Sequence, residues 1–382
     1  MTGKRKEMRI IEYSCKDSRD NWSFDKISFN GLNLLVGASA TGKTRLLNTI
    51  SNLALFITSA RKSAATVWSI IFEAEGCRYQ WDLATDDKTD IAGKVIKEKL
   101  IRTAGGKRKV IIDRTSEKFV FDGKELPKLS ATESGVFLLK EESLIKPVFN
   151  EFQFILRRNF WSDELKSLEN YHMSDQKIEK GLDQEDTLEK LFKMKVGLSY
   201  QLWLLKKFLP EKFIRITEYF KNVFPSIEAV SFEDLTKLLP NIAALKEIPA
   251  FCIKEAGNNK LIPLHELSSG MQKVLMVITD LLTLPKGAIY MLDEYENSLG
   301  INAIDFLPEL LNENDLENQI FITSHHPYLI NKIPVENWIV FHRKAAKVSV
   351  MQGKELARKF EKSRQQAFLQ LINEPFYKEG IE

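Results

Sequence analysis

The octapeptide GASATGKT (Gly37, Ala38, Ser39, Ala40, Thr41, Gly42, Lys43, Thr44) ends in a lysine and a hydroxyl placed directly after a glycine. It fits G-x-x-x-x-G-K-[ST]. Backbone N–H groups of such a loop converge on a phosphate. The lysine neutralises β and γ oxygens, and the hydroxyl ligates Mg²⁺. Far downstream, the apolar run AIYML ends in Asp293 and Glu294. Beside a phosphate loop, Asp293 has the chemistry to hold Mg²⁺ through its water shell and Glu294 to polarise an attacking water. A pair of solvated acids at a strand end is the plainer reading, and it weakens next to such a loop. The run IFIT leads into Ser324-His325-His326-Pro327. A histidine at the C-terminal end of a strand lies on the edge where α/β sheets bind ligands, so His325 could hydrogen-bond a γ-phosphate. Ser268, Ser269 and Gly270 in LSSGMQ mark a second polar helix start. That start is either an anion site or a serine-capped helix and nothing more.

These side chains need elements to carry them. FDKISFNGLNLLVG reads as strand, turn, strand, with LNLLV feeding the glycine loop and a helix beginning at about Thr44. From 66 to 126, alternating runs with turn signals such as Asp122-Gly123 predict antiparallel strands and hairpins. From about Leu165 to Asn241 the chain becomes helix-rich, with Leu198, Leu202, Leu205 and Leu209 at helical spacing and Pro210 as a break. AFCIKEAGNNKLIPL returns to strand, turn, strand. The stretch from 354, with Leu356, Phe360, Phe368 and Leu369, predicts an amphipathic helix. The expected organisation is an N-terminal lobe over 1–164, a helical insertion over 165–245 and a C-terminal lobe over 246–382.

The 382 residues are 44% hydrophobic and 28% charged, enough for a normal core. The net charge of +3 argues for no nucleic-acid partner by itself, so any basic surface has to be local. Lys97, Lys99, Arg102, Lys107, Arg108, Lys109 and Arg114 crowd one hairpin, and Arg157 with Arg158 makes a second basic spot. Either is a nucleic-acid contact or a solvated face. Cys15, Cys77 and Cys252 lie far apart, without the spacing of a structural zinc site or a disulfide framework. No stretch reads as a membrane span, and a cytoplasmic location is expected.

The ordered set of phosphate loop, LSSGMQ, MLDE and strand-end histidine resembles the ATPase head of the ABC type, of the RecF, SMC and AAA defence-ATPase kind. The likeness covers 24–58 and 250–342. It implies an α/β P-loop NTPase whose mixed central sheet carries an antiparallel β-subdomain and an inserted helical subdomain. It also implies ATP and Mg²⁺ as cofactors, with hydrolysis of ATP to ADP and phosphate. In that superfamily the signature faces the nucleotide of a second subunit. Ser268, Ser269 and Gly270 would therefore complete a partner's site in a head-to-tail homodimer, or in a higher oligomer of dimers. The sequence departs from the family pattern at Ala40, where a glycine is usual, and at Ser269, which replaces the first glycine of LSGGQ. Asn297-Ser298-Leu299 is only similar to the loop that crosses the dimer. Gln153 is the candidate for the glutamine-bearing loop, with a plain strand glutamine as the alternative. Trp22 is either an adenine platform or a core aromatic. The resemblance implies a sensor or regulatory subunit of an anti-phage complex that controls a separate effector such as a nuclease. A RecF-like DNA-repair ATPase and an ATP-gated scaffold with little hydrolysis are the alternatives. A transporter domain ranks last.

Overall fold

Buried and exposed residues alternate along TVWSIIFEA and CRYQWDLATD, the period that lays one strand face on a core. LNLLV is buried after its first residue, and IYML and QIFIT are buried throughout, as strands covered on both faces are. The two patterns mark two regions of one sheet. The computed structural model describes residues 8–17, 20–59, 66–86, 93–127, 129–159, 187–194, 196–234, 249–297, 299–313, 317–360 and 367–381.

The strands are β1 (Arg9–Asp17), β2 (Ser23–Ser28), β3 (Leu32–Val36), β4 (Thr66–Ala74), β5 (Cys77–Asp86), β6 (Lys94–Ala104), β7 (Lys107–Thr115), β8 (Phe119–Phe121), β9 (Lys124–Leu126), β10 (Ile155–Arg158), β11 (Ile227–Asp234), β12 (Pro249–Glu255), β13 (Leu261–Pro263), β14 (Ile289–Leu292), β15 (Gln319–Thr323), β16 (Trp338–Lys344) and β17 (Lys347–Gln352). The chain divides into two compact units, Met1–Arg157 with Lys286–Tyr295 and Leu316–Glu382, and Arg158–Pro285 with Glu296–Asp315.

The first unit is built on a mixed sheet in the order β10-β14-β15-β3-β16-β17-β2-β1-β4-β5-β6-β7-β8-β9. Its centre is parallel, with β15 between β14 and β3 and with β16 beside β3. From β1 through β9 every neighbour is antiparallel. The sheet is the mixed one that the resemblance implied, antiparallel subdomain included. Helix α1 (Lys43–Thr58) buries Leu46, Leu47, Ile50, Leu53, Phe56 and Ile57 in a core shared with Trp68, Phe72 and Trp81 of the antiparallel strands. Two short helices, α2 (Gly135–Leu138) and α3 (Lys146–Phe152), follow those strands. The antiparallel part also encloses an ion pair. Burial pushes the Glu98 carboxyl up, against the Gly135 N–H and the Arg114 guanidinium, which favour its charged form.

In the second unit are α4 (Thr187–Met194), α5 (Leu198–Phe208), α6 (Pro210–Val223), α7 (Ser269–Thr283) and α8 (Ile301–Glu313), together with the small antiparallel sheet β11-β12-β13. Pro210 does break the helical run, as the first residue of α6, where its missing N–H costs nothing. Helix α7 is buried on every side from Lys273 to Thr283, as its apolar sequence requires. Of the expected helical insertion, residues 165–186, 195 and 235–245 lie outside the described residues.

Back in the first unit, α9 (Pro327–Lys332) follows β15. The single amphipathic helix expected from 354 is replaced by α10 (Gly353–Leu356) and α11 (Ala367–Asn373), with a last turn of helix, α12 (Pro375–Lys378). A tight turn ends α10, its Phe360 N–H returning to the Leu356 carbonyl while the Phe360 ring meets Trp338 edge-on at 6.3 Å. Packing on Trp338 overrides the helical period there, and residues 361–366 lie outside the described set. Among the described residues no helix is long and apolar enough to cross a membrane.

Candidate functional site

At the end of β3 the chain must turn sharply into α1. Gly37 takes φ 155°, and a Cβ there would lie 2.9 Å from the Phe341 carbonyl oxygen. Gly42, at φ 102°, is the N-cap of α1, and a Cβ on it would lie 2.9 Å from the Trp22 ring. Between them the loop braces itself. The buried Thr41 donates its hydroxyl proton to the Ala38 carbonyl at 2.9 Å. Lys43 Nζ donates to the Gly37 and Ala38 carbonyls at 2.9 and 3.0 Å, laying its ammonium across the loop. Ala40 sits at φ 63°, in the left-handed region where the family pattern has glycine. Its carbonyl accepts from Arg343 Nη1 at 2.9 Å, so a side chain on β16 holds the strained residue.

Asp293, buried at the end of β14, is where distant segments meet. Its Oδ1 accepts from the Thr44 hydroxyl at 3.0 Å and from the Thr323 hydroxyl at 2.7 Å. Its Oδ2 accepts from Arg157 Nη2 at 2.9 Å. The Thr323 hydroxyl in turn accepts from the Glu294 N–H at 2.7 Å. Glu294 is exposed and sits at φ 47°, a second non-glycine residue in the left-handed region, as is common where a side chain is aimed for function.

A pocket of about 600 Å³ opens over this arrangement, within the usual range for a ligand site. Ser39, Ala40, Gly42, Lys43, Thr44, Glu294 and His325 all line it. Trp22 lines it too. It is half-buried and packs against the core, with the Arg45 and Arg343 guanidinium carbons 4.6 and 5.1 Å from its ring. Thr44 and Asp293 supply two hard oxygens for a cation. Among the described residues no group of three or more His, Cys, Asp or Glu side chains stands ready to cage a metal. A sparse oxygen set beside a phosphate loop suits Mg²⁺, which keeps its waters and takes further oxygens from phosphates.

The remaining sequence candidates fall elsewhere. Ser268, Ser269 and Gly270 belong to the second unit. Ser268 is the N-cap of α7, its hydroxyl accepting from the Met271 N–H at 3.2 Å, and both serines are exposed. Gln272 ties the approach to this helix by donating to the Leu264 and Leu267 carbonyls, each at 3.0 Å. Gln153 is the C-cap of α3, in helical geometry, so the strand-glutamine alternative is wrong, and it does not line the pocket. The basic spot at Arg157 and Arg158 is not a surface patch. Arg157 pairs with Asp293, and Arg158 holds Asp280 through two bonds of 2.8 and 2.9 Å. Sequence reasoning missed Arg157, Thr323 and Arg343 as site residues. The only signal for the first was a pair of arginines closing the apolar run FQFIL.

The fold and this pocket resemble those of an ABC-type P-loop ATPase of the AAA kind. Residues 160–331, somewhat less than half of the chain, match the family described as "AAA domain, putative AbiEii toxin, Type IV TA system". Among solved structures, an SMC head bound to the C-terminal winged-helix domain of ScpA matches at 12% identity and TM-score 0.49, over 92% of this chain and 99% of that one. The SMC head domain from Thermotoga maritima matches at 12% identity and TM-score 0.41, over 90% of this chain and 98% of that one. At that identity and similarity no residue-level correspondence follows. No curated protein matches the sequence.

Proposed function

We propose that this chain binds ATP with Mg²⁺ in the pocket of the first unit and hydrolyses it at composite sites formed when two copies pair head to tail. The observation that carries the reading is the contact between Thr44 and Asp293, which joins the end of the phosphate loop to the end of β14 beneath Lys43, Glu294 and His325. Loop amides and Lys43 would neutralise the β and γ oxygens. Thr44 and Asp293 would hold Mg²⁺, which when bound draws charge from those same oxygens. Glu294, exposed on the pocket, would accept a proton from the attacking water, and His325 would hydrogen-bond the γ-phosphate. The exposed serine pair at the start of α7 supports an anion site offered to a second copy. Two-fold pairing would then form both sites together.

In this reading, ATP-driven pairing controls a separate effector protein such as a nuclease, in an anti-phage setting that only the wording of the matched family supports. The DNA-repair alternative leans on the basic hairpin of β6 and β7. There Lys99 pairs with Asp113 at 3.7 Å and Lys109 with Asp122, which spends part of that charge locally.

Two variants test the reading. Lys43→Ala should lose ATP binding in isothermal titration. Ser269→Arg should bind ATP as tightly as the parent but lose ATP-dependent pairing and turnover together, read by light scattering and phosphate release. Unchanged ATP affinity in the first overturns the phosphate-loop assignment. Full pairing and turnover in the second overturns the composite site. Parent protein that binds ATP and pairs without turnover is a gated scaffold.

A further inference from the structure

Arg157 lies on β10, the edge strand beside β14, and its guanidinium reaches into the proposed cation site. Nη2 donates to Asp293 Oδ2 at 2.9 Å, and Nη1 donates to Asn48 Oδ1 on α1. Both partners of the ion pair are withdrawn from water, with side-chain exposures of 13% for Arg157 and 3% for Asp293. The two carboxylate oxygens thus have different duties. Oδ1 takes two neutral hydroxyl donors, and Oδ2 takes a fixed positive charge. Nε of Arg157 is buried with no hydrogen-bond partner among the described residues. A buried donor left unmet is costly, and a guanidinium used on only some of its donors has reason to turn towards an anion.

We infer that Arg157 is a tethered counter-ion that competes with Mg²⁺ for Asp293 and so sets how much Mg²⁺ the nucleotide site needs. The inference rests on the nucleotide reading above. A divalent ion held by Thr44 and Asp293 meets the guanidinium as a like charge on the same carboxylate. It therefore binds more weakly while the Arg157–Asp293 pair holds. The Asn48 anchor keeps the released guanidinium beside α1, within the charged surroundings of the phosphates. Arg157 is thus a positioning residue, acting on the cation through Asp293.

The test titrates MgCl₂ into the full chain saturated with a non-hydrolysable ATP analogue, and separately measures analogue affinity in EDTA. Arg157→Gln removes the competing charge. It should lower the Mg²⁺ midpoint by roughly tenfold or more, the scale of a buried ion pair. At the same time metal-free affinity should weaken, because Asp293 then faces the phosphates without its counter-ion. A merely structural role would weaken both. Arg157→Lys keeps the charge and should hold the midpoint within about threefold of the parent. If Arg157→Gln does not fold, Asn48→Ala removes one anchor and should shift the midpoint in the same direction by a smaller factor. A midpoint that is unchanged or raised in the folded variant overturns the inference. Parent protein that binds no analogue with or without Mg²⁺ overturns the nucleotide reading, and the inference with it.

Discussion

Ala40→Gly is the substitution whose outcome the backbone decides most directly. Ala40 sits at φ 63°, is exposed, and among the described residues gives only its carbonyl to the structure, through Arg343. Holding an L-residue in the left-handed region costs about 1–2 kcal/mol, because Cβ crowds the carbonyl oxygen. Glycine removes that cost but gives the unfolded chain more freedom, which returns about 0.4–1 kcal/mol. Little apolar area is lost, since the methyl group is exposed. The net expectation is a gain of about 0.5–1 kcal/mol. For a unit of this size that raises the melting temperature by roughly 1–4 °C. The Arg343 bond survives, because it uses the backbone. Calorimetry on the two proteins side by side reads the shift, and Ala40→Val provides the opposite sign through its β-branch. A melting temperature lowered by glycine, or left alone by valine, would show that residue 40 is not strained and refute the reasoning.

Two further outcomes are expected. Glu294→Gln should keep ATP affinity while turnover falls by roughly 10²-fold or more, because an amide cannot take the water's proton; equal turnover would remove Glu294 from that role. Burial pushes the Cys15 thiol up to about 12 from an ordinary value of 9.0. The folded thiol keeps its proton where the unfolded one has lost it, so its contribution to stability is whole below pH 9 and is lost as pH rises towards 12. By about pH 10.5 the loss is on the order of 2 kcal/mol. Denaturation midpoints measured against pH should fall in that window, and a Cys15→Ala chain with the same slope would refute the assignment.

Much of the architecture was legible because it depends on local patterns. Apolar runs such as LNLLV and IYML, the glycines at 37 and 42 and the alternation of TVWSIIFEA each state their own conformation. The acids were legible because Asp293 and Glu294 close a fully apolar strand. Arg157 was not legible, since its partner is 136 residues away and an arginine pair reads equally well as surface. The alanine at position 40 looked like a departure from a pattern, and only the backbone angle shows what the departure costs. Gln153 is the opposite case. Its residue type fitted a role, but α3 ends on it, while β10 carries Arg157 to the site a few residues later.

The Thr323 hydroxyl has one proton, and its neighbours determine where that proton goes. The Glu294 N–H donates to it, so its own hydrogen is directed at Asp293 Oδ1. The Thr44 hydroxyl gives its hydrogen to the same oxygen. Two hydrogens aimed at one acceptor leave the lone pairs of Thr44 turned away from Asp293, with the polarity a metal ligand needs before any metal arrives. One threonine at the end of β15 therefore sets the direction of a short hydrogen-bond chain from Glu294 to Asp293. Replacing it with valine would remove that direction without changing the side chain's shape.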